Sequence, residues 1–283
     1  MTNMPGLETI MNPPQRVQTL RSGIDTLTRG AEPLVDLFRP YVDGLENLPP
    51  DGRFLVVGNH TVSGVEGTFI PHVVRRAIGT RVRPLTERMM GELPRPVRDV
   101  LAAYGAVIGS PDNARELMRH AQTILVFPGG GREIAKFKGE EYRLRWEGRA
   151  GFARLAVEND YPIVPAALVG GDDVYRSPIA RDSVLGRLSL KLGEKLTDRR
   201  DSPPPLMHGI GPTLIPRPQR MYLRFAAPIQ TTAPATDGDW VATVKSRTQR
   251  ALETALAELR DLRSHDPYRR LNPLAWHSAL QAR

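Results

Sequence analysis

The chain has 283 residues, 39 Lys+Arg against 31 Asp+Glu, a formal charge of +8, 40% hydrophobic residues and no cysteine. Charges of both signs on so apolar a chain exclude a disordered polyelectrolyte, and the length suffices for the core of one α/β domain with appended elements. Without cysteine there is no disulfide framework, thiolate metal site or cysteine nucleophile. The positive balance leaves three readings: anionic lipid headgroups, nucleic acid phosphates, or an ordinary solvated surface.

The N-terminal residues lack a basic region followed by an unbroken apolar run, so no cleaved secretory signal is expected. No stretch approaches the roughly 18 apolar residues of a membrane span, so any membrane contact is expected to be peripheral, on the cytoplasmic face. Residues 13–41 read as a basic amphipathic helix, with Val17, Leu20, Ile24 and Leu27 at helical spacing, Leu34, Val35, Leu37 and Phe38 beyond Pro33, and Arg16, Arg21 and Arg29 between them. Such a helix either packs on the domain or lies on an anionic bilayer.

A turn-rich segment, 44–52, leads into the apolar run Phe54–Gly58, a buried strand. Elements then alternate: helix from Phe69 to Ile78, strand Arg81–Leu85, helix Pro94–Tyr104, strand Ala106–Ile108, helix 112–121 capped by Asp112, and strand Thr123–Phe127. A helix over 146–159 and a strand over Tyr161–Val169 follow. Residues 198–219, dense in Pro and Gly, predict an irregular excursion, Met221–Phe225 a last strand, and 239–262 a helix with Val241, Val244, Leu252, Leu256 and Leu259 apolar and Asp237 or Asp239 near its start. The alternation predicts an α/β fold, a mostly parallel central sheet covered by helices. The expected organisation is an N-terminal helical segment 1–43, a central domain 44–230, and a C-terminal helical segment 231–283 packed on it.

Two stretches at strand ends carry chemistry: Gly58-Asn-His60 through Glu66, and Val126-Phe-Pro-Gly129-Gly130-Gly131-Arg132-Glu133. Six helical steps leave His60 and Glu66 about 120° apart, so they meet only if the chain bends between them, and Ser63-Gly64 permits it. A carboxylate would then fix the imidazole tautomer and leave the other nitrogen to take a proton from a hydroxyl; alone, such a pair is more often a surface contact. The triple glycine brings backbone N–H groups close to an oxyanion or phosphate, or simply makes a tight turn. Asp172-Asp173 reads as a solvated loop, and no metal site is expected. Aromatic residues are 6% of the chain, with no basic stripe interleaved, which argues against nucleic acid.

Four pieces in order, LPPDGRFLVVGNH ending at His60, the basic segment Arg81–Gly109, ILVFPGGGRE and YPIVPAALVGG, resemble the glycerophospholipid acyltransferase superfamily, marked by an H-x4-D box and a later F-P-E-G-T-R box. The resemblance covers roughly residues 40–230. It departs at Val65, where the family has its acid, the nearest carboxylate being Glu66, and at Gly129 and Gly131, where the family has Glu and Thr; Arg132 is kept. GGxxE with Glu133, then Arg149-x-Gly151-Phe152, is more similar to the neutral-lipid branch that includes type 2 diacylglycerol acyltransferases. The resemblance implies a glycerol-3-phosphate acyltransferase-like fold and transfer of an acyl group from acyl-CoA or acyl carrier protein to a lipid hydroxyl, with these thioesters as co-substrates and no resident cofactor. His60 would be general base, Glu66 its orienter, Gly129–Gly131 the oxyanion site, and Arg132, with Glu133 and Arg149, the substrate contacts. The unmet H-x4-D spacing leaves two alternatives: a lipid-binding relative that has lost the chemistry, and a thioester hydrolase using the same histidine.

Overall fold

The strands at the centre of the molecule carry no charged residue. In a computed structural model, which describes residues 11–197, 207–232 and 239–282, β1 (Tyr41–Asp43), β2 (Leu55–Gly58), β3 (Val82–Thr86), β4 (Val107–Ile108), β5 (Thr123–Val126), β6 (Ile163–Val169) and β7 (Tyr222–Phe225) form one seven-stranded sheet in the order β1-β7-β6-β2-β5-β3-β4. All neighbours are parallel except β6 and β7. The middle strands β6, β2 and β5 are uncharged because helices cover both faces, and a parallel sheet buried on both sides has no solvent side for polar residues.

Alternation along β2 sorts the core into two layers. Leu55 and Val57 face the cluster that holds α4 (Pro111–Arg119), α6 (Gly151–Glu158) and α8 (Trp240–His265). Val56 faces the cluster built on Ile70, Val73 and Val74 of α2 (Glu66–Ile78). The remaining helices are α1 (Gln15–Leu37), which packs against α3 (Arg95–Tyr104), the single turn α5 (Gly131–Ile134), and α7 (Val184–Thr197). The expected α/β architecture is therefore the one observed.

Several boundaries differ for physical reasons. The first helix runs through Pro33 and stops at Leu37; Tyr41–Asp43 is a strand, because its partner β7 supplies the hydrogen bonds. The sheet thus begins inside the segment read as N-terminal. α4 is capped by Ser110, whose Oγ accepts from the Asn113 N–H at 3.1 Å, not by Asp112, which lies within the first turn. Residues 146–150 are irregular, with a turn at Glu147-Gly148, so α6 starts only at Gly151. α7 was not expected. Of the Pro-Gly excursion, 198–206 lie outside the described residues, and 207–219 hold turns and one isolated bridge from His208 to Arg176. Asp239 caps α8, accepting from Ala242 N–H at 3.1 Å.

α1 is docked by its polar side. Asp25 accepts from Arg75 at 2.5 Å and from Arg81 at 2.8 Å, and Asp36 from Arg76 at 2.5 Å. Burial works against ionisation of Asp25, yet these guanidiniums hold its carboxyl below the usual range. Leu20, Leu27 and Leu34, seven residues apart and therefore within about 20° per step of one line, fall on the opposite side. They are exposed, as are Leu37 and Phe38; Leu27 keeps 75% of its surface.

Candidate active site

β2 ends at Gly58, where a side chain would press on the Phe127 ring at 2.9 Å. The four residues that follow are fixed to the fold by buried side chains. Asn59 straddles Leu168 of β6, donating to its carbonyl at 3.0 Å and accepting from its N–H at 2.8 Å. The His60 N–H donates to Glu133 Oε2 at 2.8 Å, and the His60 carbonyl accepts from Lys136 Nζ at 2.8 Å. Thr61 N–H donates to Glu66 at 3.1 Å and Val62 N–H to Asp172 at 2.9 Å. A loop so held cannot relax without stranding buried polar groups.

The bend needed to join His60 and Glu66 is present. Gly64 takes a left-handed conformation, φ +67°, and α2 begins at Glu66, three residues earlier than the apolar pattern suggested. His60 Nδ1 is hydrogen-bonded to Glu66 Oε1, and the Thr61 hydroxyl donates to Glu66 Oε2. Glu66 is fully buried, whereas the imidazole keeps 20% of its surface. The ring stacks on Phe127 at 4.6 Å between centroids. With the carboxylate on Nδ1, the network assigns the proton to Nδ1 and leaves Nε2 as the acceptor.

The other expected site residues divide. Gly129 is a glycine because a Cβ would come within 2.2 Å of the Glu133 side chain. Gly130 N–H is taken by the Phe127 carbonyl at 3.0 Å and Gly131 N–H by Glu87 Oε1 at 2.9 Å, so these two are not presented as oxyanion donors in this conformation. Glu133 is fully buried with its oxygens on His60 N–H and Arg145 N–H, and burial raises its pKa against those bonds. It is a backbone clamp, not a substrate contact. Arg132 pairs with Glu147 at 2.5 Å and lies off the cavity wall. Arg149 does line the cavity, and its guanidinium holds the carbonyls of Pro128, at 3.2 Å, and Gly129, at 3.0 Å.

Lys136 and Asp172 form an ion pair of 2.5 Å with almost no exposure. Asp172, expected in a solvated loop, is inside because Lys136 and the N–H groups of Val62 and Tyr142 satisfy it; burial still pushes its carboxyl above the usual range. Asn59, Thr61, Lys136 and Asp172 escaped sequence reasoning. The available signal was a lone lysine inside the run Ile134-Ala-Lys-Phe137. Among the described residues no group of three or more His, Cys, Asp or Glu could hold a metal ion.

His60, Gly130, Gly131 and Arg149 stand at one side of a cavity of about 840 Å³, whose remaining wall includes Leu55, Met118, Ile124, Val126, Phe152 and Leu155. That volume lies in the roughly 300–1,000 Å³ range of small-molecule sites. Fold and site together define an α/β protein with a carboxylate-paired imidazole at the edge of an apolar cavity.

Residues 39–169 match the family model described as Acyltransferase. An uncharacterized protein of Mycobacterium leprae is 32% identical over 208 residues, 71% of this chain and 54% of that one. Phytyl ester synthase 2 of Arabidopsis thaliana is 29% identical over 84% of this chain and 36% of its own length. The human DGAT1/2-independent enzyme synthesizing storage lipids is 27% identical over 44% of this chain and 38% of its own. Residues 39–169 are thus an acyltransferase-family domain, as the ordered motifs implied. The chain spans about half or less of the length of these relatives. Among the described residues no helix is long and apolar enough to cross a membrane.

Proposed function

We propose that this protein transfers a fatty acyl group from the thioester of coenzyme A or an acyl carrier protein to the hydroxyl of an apolar lipid alcohol or glyceride. The observation that carries the reading is the His60–Glu66 pair at the edge of the apolar cavity. His60 Nε2 takes the proton of the acceptor hydroxyl as its oxygen attacks the thioester carbonyl. The C–S bond then breaks, and the thiolate leaves with the proton held on His60. Glu66 stabilises the imidazolium formed between these steps. Assistance of this kind is worth about 10²–10⁴ in rate.

The acceptor class is supported by the departure from E-G-T at Gly129–Gly131 and by relatives whose names specify phytyl esters and storage lipids. For Gly131 N–H to receive the developing oxyanion, Glu87 must swing off it. A peripheral position on a membrane surface is supported by the exposed leucines of α1.

Purified full chain with radiolabelled acyl-CoA and a panel of phytol, diacylglycerol and lysophosphatidic acid tests the reading. Acyl transfer is expected to phytol or diacylglycerol, and to fall about 10²–10⁴-fold in His60→Ala. Transfer equal in wild type and His60→Ala sinks it. Thioester cleavage undiminished by omission of acceptor replaces it with the hydrolase.

A further inference from the structure

From residue 207 to 220 the chain carries no acidic residue, and residues 210–216 are exposed throughout. Ile210, Leu214 and Ile215 are among them, Leu214 with 71% of its surface in solvent. The turn that carries them is closed by its own backbone. Gly209 N–H donates to the Thr213 carbonyl at 2.6 Å and Ile210 N–H to the Ile215 carbonyl at 2.8 Å; a Cβ on Gly209 would come within 1.7 Å of that second oxygen. Its feet are tied to the fold: Arg176 and His208 exchange backbone bonds at 2.9 and 3.0 Å, and Arg217 N–H donates to the Val174 carbonyl at 3.1 Å. A turn ordered in this way holds its apolar side chains outward and meets a partner without the entropy cost of ordering a loop.

The turn stands at the catalytic end of the sheet. β2 ends at Gly58, two residues before His60, and its parallel neighbour β6 ends at Val169. β7 starts at that same end, since Tyr222 lies opposite Val169, and β1 starts there too, with Tyr41 opposite Tyr222. The turn precedes β7 and hangs on residues that follow β6, whereas exposed Leu37 and Phe38 lead into β1. Two exposed apolar features thus share the end of the sheet that carries His60.

Behind the tip the charge is positive. Burial lowers the pKa of Arg217, and the neighbouring guanidiniums of Arg176 and Arg270 lower it further, against the pull of Asp173. Asp173 is itself taken by the Tyr142 hydroxyl and Arg263. Arg217 Nε holds the Gly209 carbonyl at 2.9 Å, while its Nη1 is enclosed with no hydrogen-bond partner among the described residues. Arg176 and Arg270 are exposed. Aliphatic side chains at a tip with guanidiniums behind them match the layers of an anionic membrane surface, acyl chains beneath and charged headgroups above.

We propose that the turn 209–215 inserts into the surface of an anionic bilayer and so sets the catalytic end of the sheet against the lipid. This deepens the membrane position proposed from α1 and rests on it for the class of partner, but it uses a separate element.

Sedimentation of the full chain with vesicles of equal parts phosphatidylcholine and phosphatidylserine tests it. Wild type is expected to bind, and Leu214→Asp with Ile215→Asp to bind at least about tenfold more weakly, since two aliphatic side chains are lost from the lipid. Arg176→Gln with Arg270→Gln should weaken binding about fivefold per arginine on these vesicles and leave binding to pure phosphatidylcholine unchanged. All four side chains are exposed, with circular dichroism as the check on folding. Leu214→Trp reads insertion directly: brominated lipid should quench its emission beyond the quenching of the wild-type chain. No vesicle binding by wild type, equal binding by wild type and the doubly substituted turn, or no added quenching in Leu214→Trp overturns the proposal. So does a dimer in sedimentation velocity that the same double substitution dissolves while vesicle binding persists, which assigns the tip to a second copy of the chain. If the turn variant loses binding and Leu27→Asp with Leu34→Asp does not, the turn stands and the α1 reading falls. His60→Ala is expected to bind vesicles as wild type, so docking and acyl transfer register separately.

Discussion

The loop that carries His60 and the helix α1 are held by opposite means. From Asn59 to Val62 the backbone is gripped by side chains that are themselves buried, Asn59, Glu66, Glu133, Lys136 and Asp172. α1 is tied through partly exposed Asp–Arg pairs, with one buried apolar residue, Val17, and its leucine line turned outward. Buried networks impose one geometry because every unmade bond is costly, while exposed pairs contribute little and are screened by salt. The molecule thus fixes its chemistry firmly and its surface helix loosely.

Breaking the firm side has the largest expected effect. Lys136→Met leaves Asp172 as a buried charge without its cation and the His60 carbonyl without a donor, and should cost about 3–5 kcal/mol of unfolding free energy measured in urea. Gly129→Ala drives a methyl into Glu133, which in turn holds the His60 N–H; destabilisation of about 1–3 kcal/mol is expected, with a fall in acyl transfer beyond what the unfolded fraction explains.

The loose side responds to milder changes and in another observable. Leu27→Asp with Leu34→Asp should leave the unfolding free energy within about 0.5 kcal/mol of wild type, because both side chains are already exposed. Sedimentation with anionic phosphatidylserine vesicles should fall at least about tenfold, since each leucine forfeits about 1.5–3 kcal/mol of burial in lipid. Unchanged sedimentation would remove α1 from the membrane reading. The smallest effect is in pH. The Asp25 carboxyl is held below its ordinary 3.8 in the folded chain, so its contribution is complete above that value and is lost as pH falls through the folded value. Protection of α1 amides from hydrogen exchange, corrected for intrinsic rates, should therefore be level from pH 7 to 5 and drop only below 3.8. Asp25→Asn should show the reduced protection at every pH.

Much of the fold was legible because the central strands must be uncharged to be buried twice over, and α8 must repeat its apolar residues to cover them. β1 was not, since three residues, Tyr41–Asp43, become a strand only through β7, far along the chain. α7 was hidden by Gly186 and Gly193 and by exposed Val184, Leu185 and Leu188, which give no buried face to read. At the site, His60 and Glu66 could be named from type and spacing together with the resemblance, given a bend that Gly64 supplies. Lys136, Asp172 and Glu87 could not, because what they do depends on contacts 30 or more residues away. Arginines were visible in the sequence as scattered surface charge; that Arg176, Arg217 and Arg270 gather behind one turn is a product of the fold.

The pairing of Tyr41 with Tyr222 also sets an order of events during synthesis. About 180 residues separate the partners, so at roughly 5–20 residues per second the first strand waits some 10–35 s for its mate to leave the ribosome. Through that interval α1 is already made, with its leucine line facing outward and no sheet edge beside it. The nascent chain therefore carries this exposed apolar line before it has a completed domain.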